Sequence, residues 1–217
     1  MRFIVPTLLL SLCLPLAHAD EVLLEDYQYG GCFSVADWAN TFEDAQGRAN
    51  EAIVSSKVAR VSWGTKWSGI PSSGETQDFS KFKTFQVDVM VEKGQPVEEE
   101  ANFYFQLLNE SGTGYSYWEV FAPQTSVPAD GKWYRIQLPI KSMVTGNGDG
   151  GEAPKDFTTI NGTCCGMTFD ENGDKFKFKR AFFDNVKLST ESVEKLTVSE
   201  TPQDKEKEKS ADAVESK

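Results

Sequence analysis

Histidine is all but missing. The single one in 217 residues is His18, and it falls in a start that reads as a leader. Arg2 is followed by an apolar run from Phe3 to Leu16, and Ala17-His18-Ala19 then supplies small residues where a signal peptidase reads them. Cleavage after Ala19 is expected, so residues 1–19 are a signal peptide and the mature chain holds no histidine. A Ser-His-Asp or Cys-His nucleophile pair is thereby excluded, as is a zinc site with imidazole ligands. Long apolar runs are missing too. None after the leader approaches the roughly 20 residues of a membrane span.

Positive charge is scarce. The net charge is −11, and loss of the leader removes Arg2 and no acid, which takes it to −12. Such a surface repels nucleic acid and anionic membranes, and leaves neutral ligands and calcium as partners. Cysteine is sparse and odd in number. After the leader only Cys32, Cys164 and Cys165 remain. In an oxidising compartment the simplest arithmetic is one disulfide, Cys32 with Cys164 or Cys165, and one free thiol. Adjacent cysteines pair with each other only in a strained turn. The alternative is that all three are small buried apolar residues.

Helical periodicity is absent, and what stands in its place is alternation. Phe85, Val87, Val89 and Val91 interleave with Gln86, Asp88 and Met90; Phe103, Phe105 and Leu107 interleave with Asn102, Tyr104 and Gln106. Ile136, Leu138 and Ile140 keep the same phase. Further strands are expected at Val22 to Tyr27, in the region Ile53 to Trp63, at Tyr115 to Phe121, at Gly166 to Phe169 and at Lys179 to Leu188. The stretch from Trp63 to Gly74, with Gly64, Gly69, Pro71 and Gly74, reads as a loop. Short turns between strands favour antiparallel pairing, so the fold class is all-β: a single-domain antiparallel β-sandwich over residues 20–190. From Glu191 to Lys217 the chain turns to Ser, Glu, Lys and Asp without aromatics, and is expected to be a disordered charged tail.

Three motifs carry a resemblance. Leu24-Glu25-Asp26-Tyr27 with Trp38 downstream is similar to the opening of jelly-roll carbohydrate-binding modules. Gly131-Lys132-Trp133-Tyr134-Arg135-Ile136-Gln137-Leu138-Pro139-Ile140 is similar to a strand of theirs, and Phe183-Asp184-Asn185-Val186-Lys187-Leu188 to their closing strand. The nearest type is the eleventh family of β-glucan binders, with related galactose-binding-like sandwiches. The resemblance implies a jelly roll whose first and last strands adjoin, a noncatalytic role in binding a neutral polysaccharide, and a structural calcium. Its ligands would be Asp184 and one of Glu25 or Asp26, hard oxygen donors that suit the ion. Gln28 stands where the opening pattern has an acid.

Sugar rings present flat C–H faces, so a binder needs aromatic rings to stack on them and amide, carboxylate or guanidinium groups for the hydroxyls. The phases above put Gln86, Asp88, Tyr104, Gln106, Tyr115, Tyr117, Arg135 and Gln137 on outer faces, expected to be one shared glycan face. Trp63 and Trp67 offer an alternative, end-on site. Two other functions compete. A jelly-roll glycoside hydrolase could draw on Glu119 with Asp88, and a secreted adhesion or scaffold domain would need no glycan at all.

Overall fold

The computed structural model describes residues 19–28, 30–35, 42–45, 48–55, 67–95, 101–111, 114–148, 156–168 and 180–201. Thirteen strands account for most of them: β1 (Glu21–Glu25), β2 (Phe33–Val35), β3 (Phe42–Ala45), β4 (Arg48–Ser55), β5 (Trp67–Gln77), β6 (Thr84–Val91), β7 (Asn102–Ser111), β8 (Gly114–Pro123), β9 (Trp133–Pro139), β10 (Val144–Gly148), β11 (Ile160–Thr168), β12 (Arg180–Ser189) and β13 (Thr197–Glu200). They form two antiparallel sheets. Sheet A runs β13-β9-β6-β12-β4-β3, with β1 also on β12, and sheet B runs β10-β8-β7-β11-β5-β2. Between β4 and β12 the chain repeatedly changes sheet, which is the winding of a jelly-roll sandwich.

The alternation read from the sequence becomes the core. Phe85, Val87, Val89 and Val91 of β6 face Phe103, Phe105 and Leu107 of β7 across the sandwich, and all seven are essentially inaccessible. Aromatic packing joins the two sheets: Phe85 and Phe105 stack at 5.4 Å, and Phe183 of β12 meets Phe103 edge-on at 6.0 Å. A buried phenylalanine is worth roughly 2 kcal/mol in transfer free energy alone, so this double row dominates the stability of the fold.

The two chain ends adjoin as expected, since β1 lies antiparallel on β12 with Glu21 opposite Ser189 and Val22 opposite Leu188. One edge of β12 is shared. β4 covers it along Arg180 to Phe183, β1 along Val186 to Ser189, and β6 holds the other edge throughout. At the changeover the register slips and Asn185 takes a left-handed φ of 50°. Asparagine is among the few non-glycine residues that adopt it readily.

Three expectations change. The glycine-rich stretch read as a loop is partly β5, an eleven-residue strand from Trp67 that contains Gly69, Pro71 and Gly74. β5 is paired along its length with β11, and among the described residues β2 meets it at Ser72 to Gly74. The tail read as disordered from Glu191 supplies β13, whose Thr197 to Glu200 pair with Gln137 to Tyr134 of β9. Its Leu196 and Val198 rest on the rim of the core, which composition alone did not reveal.

The expected disulfide is the third. Cys32, Cys164 and Cys165 are all free thiols. Cys32 directly precedes β2 and Cys164 is on β11, with β5 between them; along β5, Cys164 is opposite Pro71 whereas Phe33 is opposite Gly74. Two inter-strand spacings of about 4.8 Å and several residues of about 3.4 Å separate them, against a Cα distance near 6 Å for a disulfide.

Candidate functional site

The eight residues expected on one face divide between two. Gln86 and Asp88 on β6 and Arg135 and Gln137 on β9 lie on the outer side of sheet A; Tyr104 and Gln106 on β7 and Tyr115 and Tyr117 on β8 belong to sheet B. The separation has a simple cause. Alternation specifies which side of a strand faces the core, but sheet membership changes between successive strands of a jelly roll. Trp63 lies outside the described residues, and Trp67 pairs with Thr168 at one end of β5.

The sheet A set is closed upon itself. Arg135 grips Asp88 with two nitrogens, Nε to Oδ1 at 2.9 Å and Nη2 to Oδ2 at 3.2 Å. Asp184 stands directly opposite Asp88, and the Asn185 amide donates to both carboxylates, at 3.1 and 3.2 Å. Asp184 Oδ1 also accepts the Asn185 backbone N–H at 2.8 Å, which holds the left-handed residue in place. Nearby on the same face, Met90, Trp133 and Phe182 pack together and are almost wholly inaccessible. Polar groups so committed to one another have little left for a ligand.

Asp184 and Glu25 do not converge on one ion. Glu25 sits opposite Val186, a core residue, and its carboxylate points between the sheets, where Oε1 accepts the Tyr27 backbone N–H at 2.7 Å. Asp184 points out of the other side of sheet A. Asp26 Oδ1 accepts the backbone N–H groups of Gln28 and Gly30, both at 2.8 Å, and so builds the turn after β1. Glu25 and Asp184 therefore point to opposite sides of sheet A and do not fit a single calcium. Glu25 lies beside Tyr27, Ser72 and Cys165, and its Oε2 has no hydrogen-bond partner among the described residues. Burial raises its carboxyl to about 7. The same burial pushes the Tyr27 hydroxyl and the Cys165 thiol well above their usual ranges.

Sheet B presents a different surface. Its register defines three rows of side-chain positions running across the strands on the outer face. One is Phe121, Tyr104, Gly166, Gly69; the next is Val144, Glu119, Gln106, Cys164, Pro71; the third is Gly146, Tyr117, Leu108, Gly162, Ser73. Tyr104 reaches over β11 so far that a Cβ on Gly69 would collide with its hydroxyl, and its Oη lies 3.7 Å from Cys164 Sγ. Tyr117 leans the other way, its ring against Gly146 of β10, where a Cβ would meet ring atoms at 2.5 Å. Between them Gln106 Nε2 donates to Glu119 Oε2 at 2.6 Å. Phe121 and Val144 are the two large hydrophobic side chains exposed among the described residues, at 38% and 58%, and both flank Glu119 on this face.

One expected role is corrected here. Tyr104 is 5% exposed, so its ring is packing rather than platform, and the aromatic side chains described on this face that reach solvent are Phe121 and the half-buried Tyr117. Phe121 and Glu119 extend the alternation of Tyr115 and Tyr117 along β8, and carrying the phase to the strand's end would have found them. Glu119 was considered only as a hydrolytic acid with Asp88. The two stand on the outer faces of different sheets. With sheets about 10 Å apart and both side chains pointing away from the core, they cannot flank one glycosidic bond at the roughly 5 to 10 Å such a pair needs.

No protein-family model matches the chain, and no curated protein sequence matches it. Solved structures do. A family 11 carbohydrate-binding module from Clostridium thermocellum, in complex with a β-1,3-1,4-mixed-linked tetrasaccharide, aligns over 77% of this chain and 94% of its own at 17% identity, with a TM-score of 0.47. The chain resembles carbohydrate-binding modules in fold. A family 28 module specific for non-crystalline cellulose aligns over 79% of this chain and 95% of its own at 14% identity, TM-score 0.44. A family 27 module from Caldicellulosiruptor saccharolyticus, in complex with mannohexaose, covers 80% and 99% at 15% identity, TM-score 0.39.

Proposed function

We propose that the chain is an exported, noncatalytic binder of a neutral, β-glucan-like polysaccharide, held on the outer face of sheet B. One observation carries the reading: a hydrogen-bonded Glu119–Gln106 pair occupies the row between Phe121 on one side and Tyr117 on the other. Rings on either side of a polar pair can stack on the flat faces of successive sugars. Carboxylate and amide oxygens keep acceptor capacity beyond a single bond, and sugar hydroxyls supply the donors. A polymer lying along the rows would cross the strands of sheet B.

Export belongs to the same proposal and rests on the leader reading of residues 1–19. Affinity electrophoresis of the protein against soluble mixed-linkage glucan, xylan and mannan tests the binding. Retardation on at least one neutral gel, with no release of reducing sugar, is expected. Free migration on all of them would remove the proposal.

A further inference from the structure

The strands of sheet A carry charges of both signs, whereas those of sheet B carry negative ones alone. Sheet A holds Arg48, Arg135, Arg180 and Lys187 along with its acids. The six strands of sheet B contain Glu75, Glu110 and Glu119 and not one lysine or arginine. Glu119 is the one in the middle of the described face, 7% exposed, with Gln106 as its hydrogen-bond donor. None of the ion pairs among the described residues includes it. An amide is a dipole and cannot neutralise a carboxylate, so a charge held there at low exposure stays uncompensated. Consistent with that, burial raises the Glu119 carboxyl above its ordinary value.

We infer that sheet B is a charge filter: it accepts uncharged glycans and rejects polyuronates, and Glu119 is the residue that sets the discrimination. The inference rests on the glycan-face reading above and adds to it the residue that enforces neutrality. A uronate carboxylate laid across the rows would be brought beside Glu119 with no cationic side chain on any strand of that sheet to receive it. Like charges at close range and low exposure repel far more strongly than they do in bulk water. A neutral hydroxymethyl group at the same place meets acceptors it can donate to. Selection here works by penalising the wrong ligand.

The test uses one backbone in two charge states, the neutral glucan that retards the full-length protein best and the same polymer oxidised at C6 to the uronate. The wild type should bind the neutral chain at least tenfold more tightly, and added salt should narrow that ratio by screening the repulsion. In Glu119→Gln the ratio should fall severalfold whatever happens to the absolute affinities, whereas Glu75→Gln, an exposed position far along β5, should leave it unchanged. Equal affinity of the wild type for both polymers overturns the filter. A salt-independent ratio, or one that Glu119→Gln does not move, overturns the assignment to Glu119. Binding to neither polymer would instead bring down the glycan-face reading, and the filter with it.

Discussion

The outer faces of sheets A and B began as one pattern in the sequence and ended as two kinds of surface. On sheet A the polar residues find each other: Arg135 with Asp88, Asn185 with both Asp88 and Asp184. On sheet B they are spread among glycines and rings, and the apolar groups Phe121 and Val144 face solvent. A polar residue pointing away from a core is therefore weak evidence for a binding face. The better criterion is whether the polar group stands beside exposed apolar side chains, as Glu119 does beside Phe121 and Val144, whereas Asp88 neighbours the buried Met90, Trp133 and Phe182.

Substitutions can break that contrast, and the largest effect is expected at Tyr104. Replacing it with alanine removes a buried ring that spans from β7 to Gly69, and should cost roughly 4 kcal/mol in urea unfolding, the range of large aromatic truncations in a packed site. A loss under about 1 kcal/mol would restore Tyr104 as an exposed platform. Asp88→Ala should cost about 3 kcal/mol, since it strands the partly buried Arg135 without its carboxylate, while glycan retardation of the folded variant stays at the wild-type level. Loss of retardation in a folded Asp88→Ala protein would move the site to sheet A.

Glu25 sharpens the comparison from inside the sandwich. Its carboxyl is raised from an ordinary 4.5 to about 7, so the folded state holds the proton more tightly than the unfolded chain does. That contribution to stability is fully present below pH 4.5 and is lost as the pH rises toward 7 and beyond. The amount is about 3 kcal/mol. Glu25→Gln has no proton to lose, so its stability relative to wild type should improve by about that much between pH 4 and pH 7 in parallel denaturant titrations. Parallel pH profiles would show that Glu25 is not confined between the sheets as described. The smallest effect belongs to Phe121→Ala: unfolding stability within about 0.5 kcal/mol of wild type, with affinity for the best glycan lowered about tenfold, or 1.4 kcal/mol. Undiminished affinity would take Phe121 out of the site.

Much of the fold was legible. Phe85 to Val91 and Phe103 to Leu107 alternate cleanly because each strand has one face in the core, and the opening and closing motifs placed β1 beside β12. β5 was not legible, because Gly69 and Pro71 are loop residues in any local reading and become strand only when β11 pairs with them and Tyr104 needs the space. β13 was missed for a related reason: four residues with modest hydrophobicity gain a strand's hydrogen bonds only from β9. Of the proposed site, the sequence offered Gln106 and Tyr117; it did not single out Phe121, and the burial of Tyr104 depended on neighbouring strands that the sequence does not name.

What the amino-acid order determined by itself is the phase of each strand, because a period of two puts neighbouring side chains on opposite sides whatever the strand pairs with. It also determined the negative charge and the absence of histidine after residue 18. Only the tertiary structure decided which strands share a sheet. Pairing in a jelly roll joins segments far apart in the chain, so Asp88 and Gln106, nearly neighbours in sequence and alike in phase, came to point out of opposite sides of the molecule.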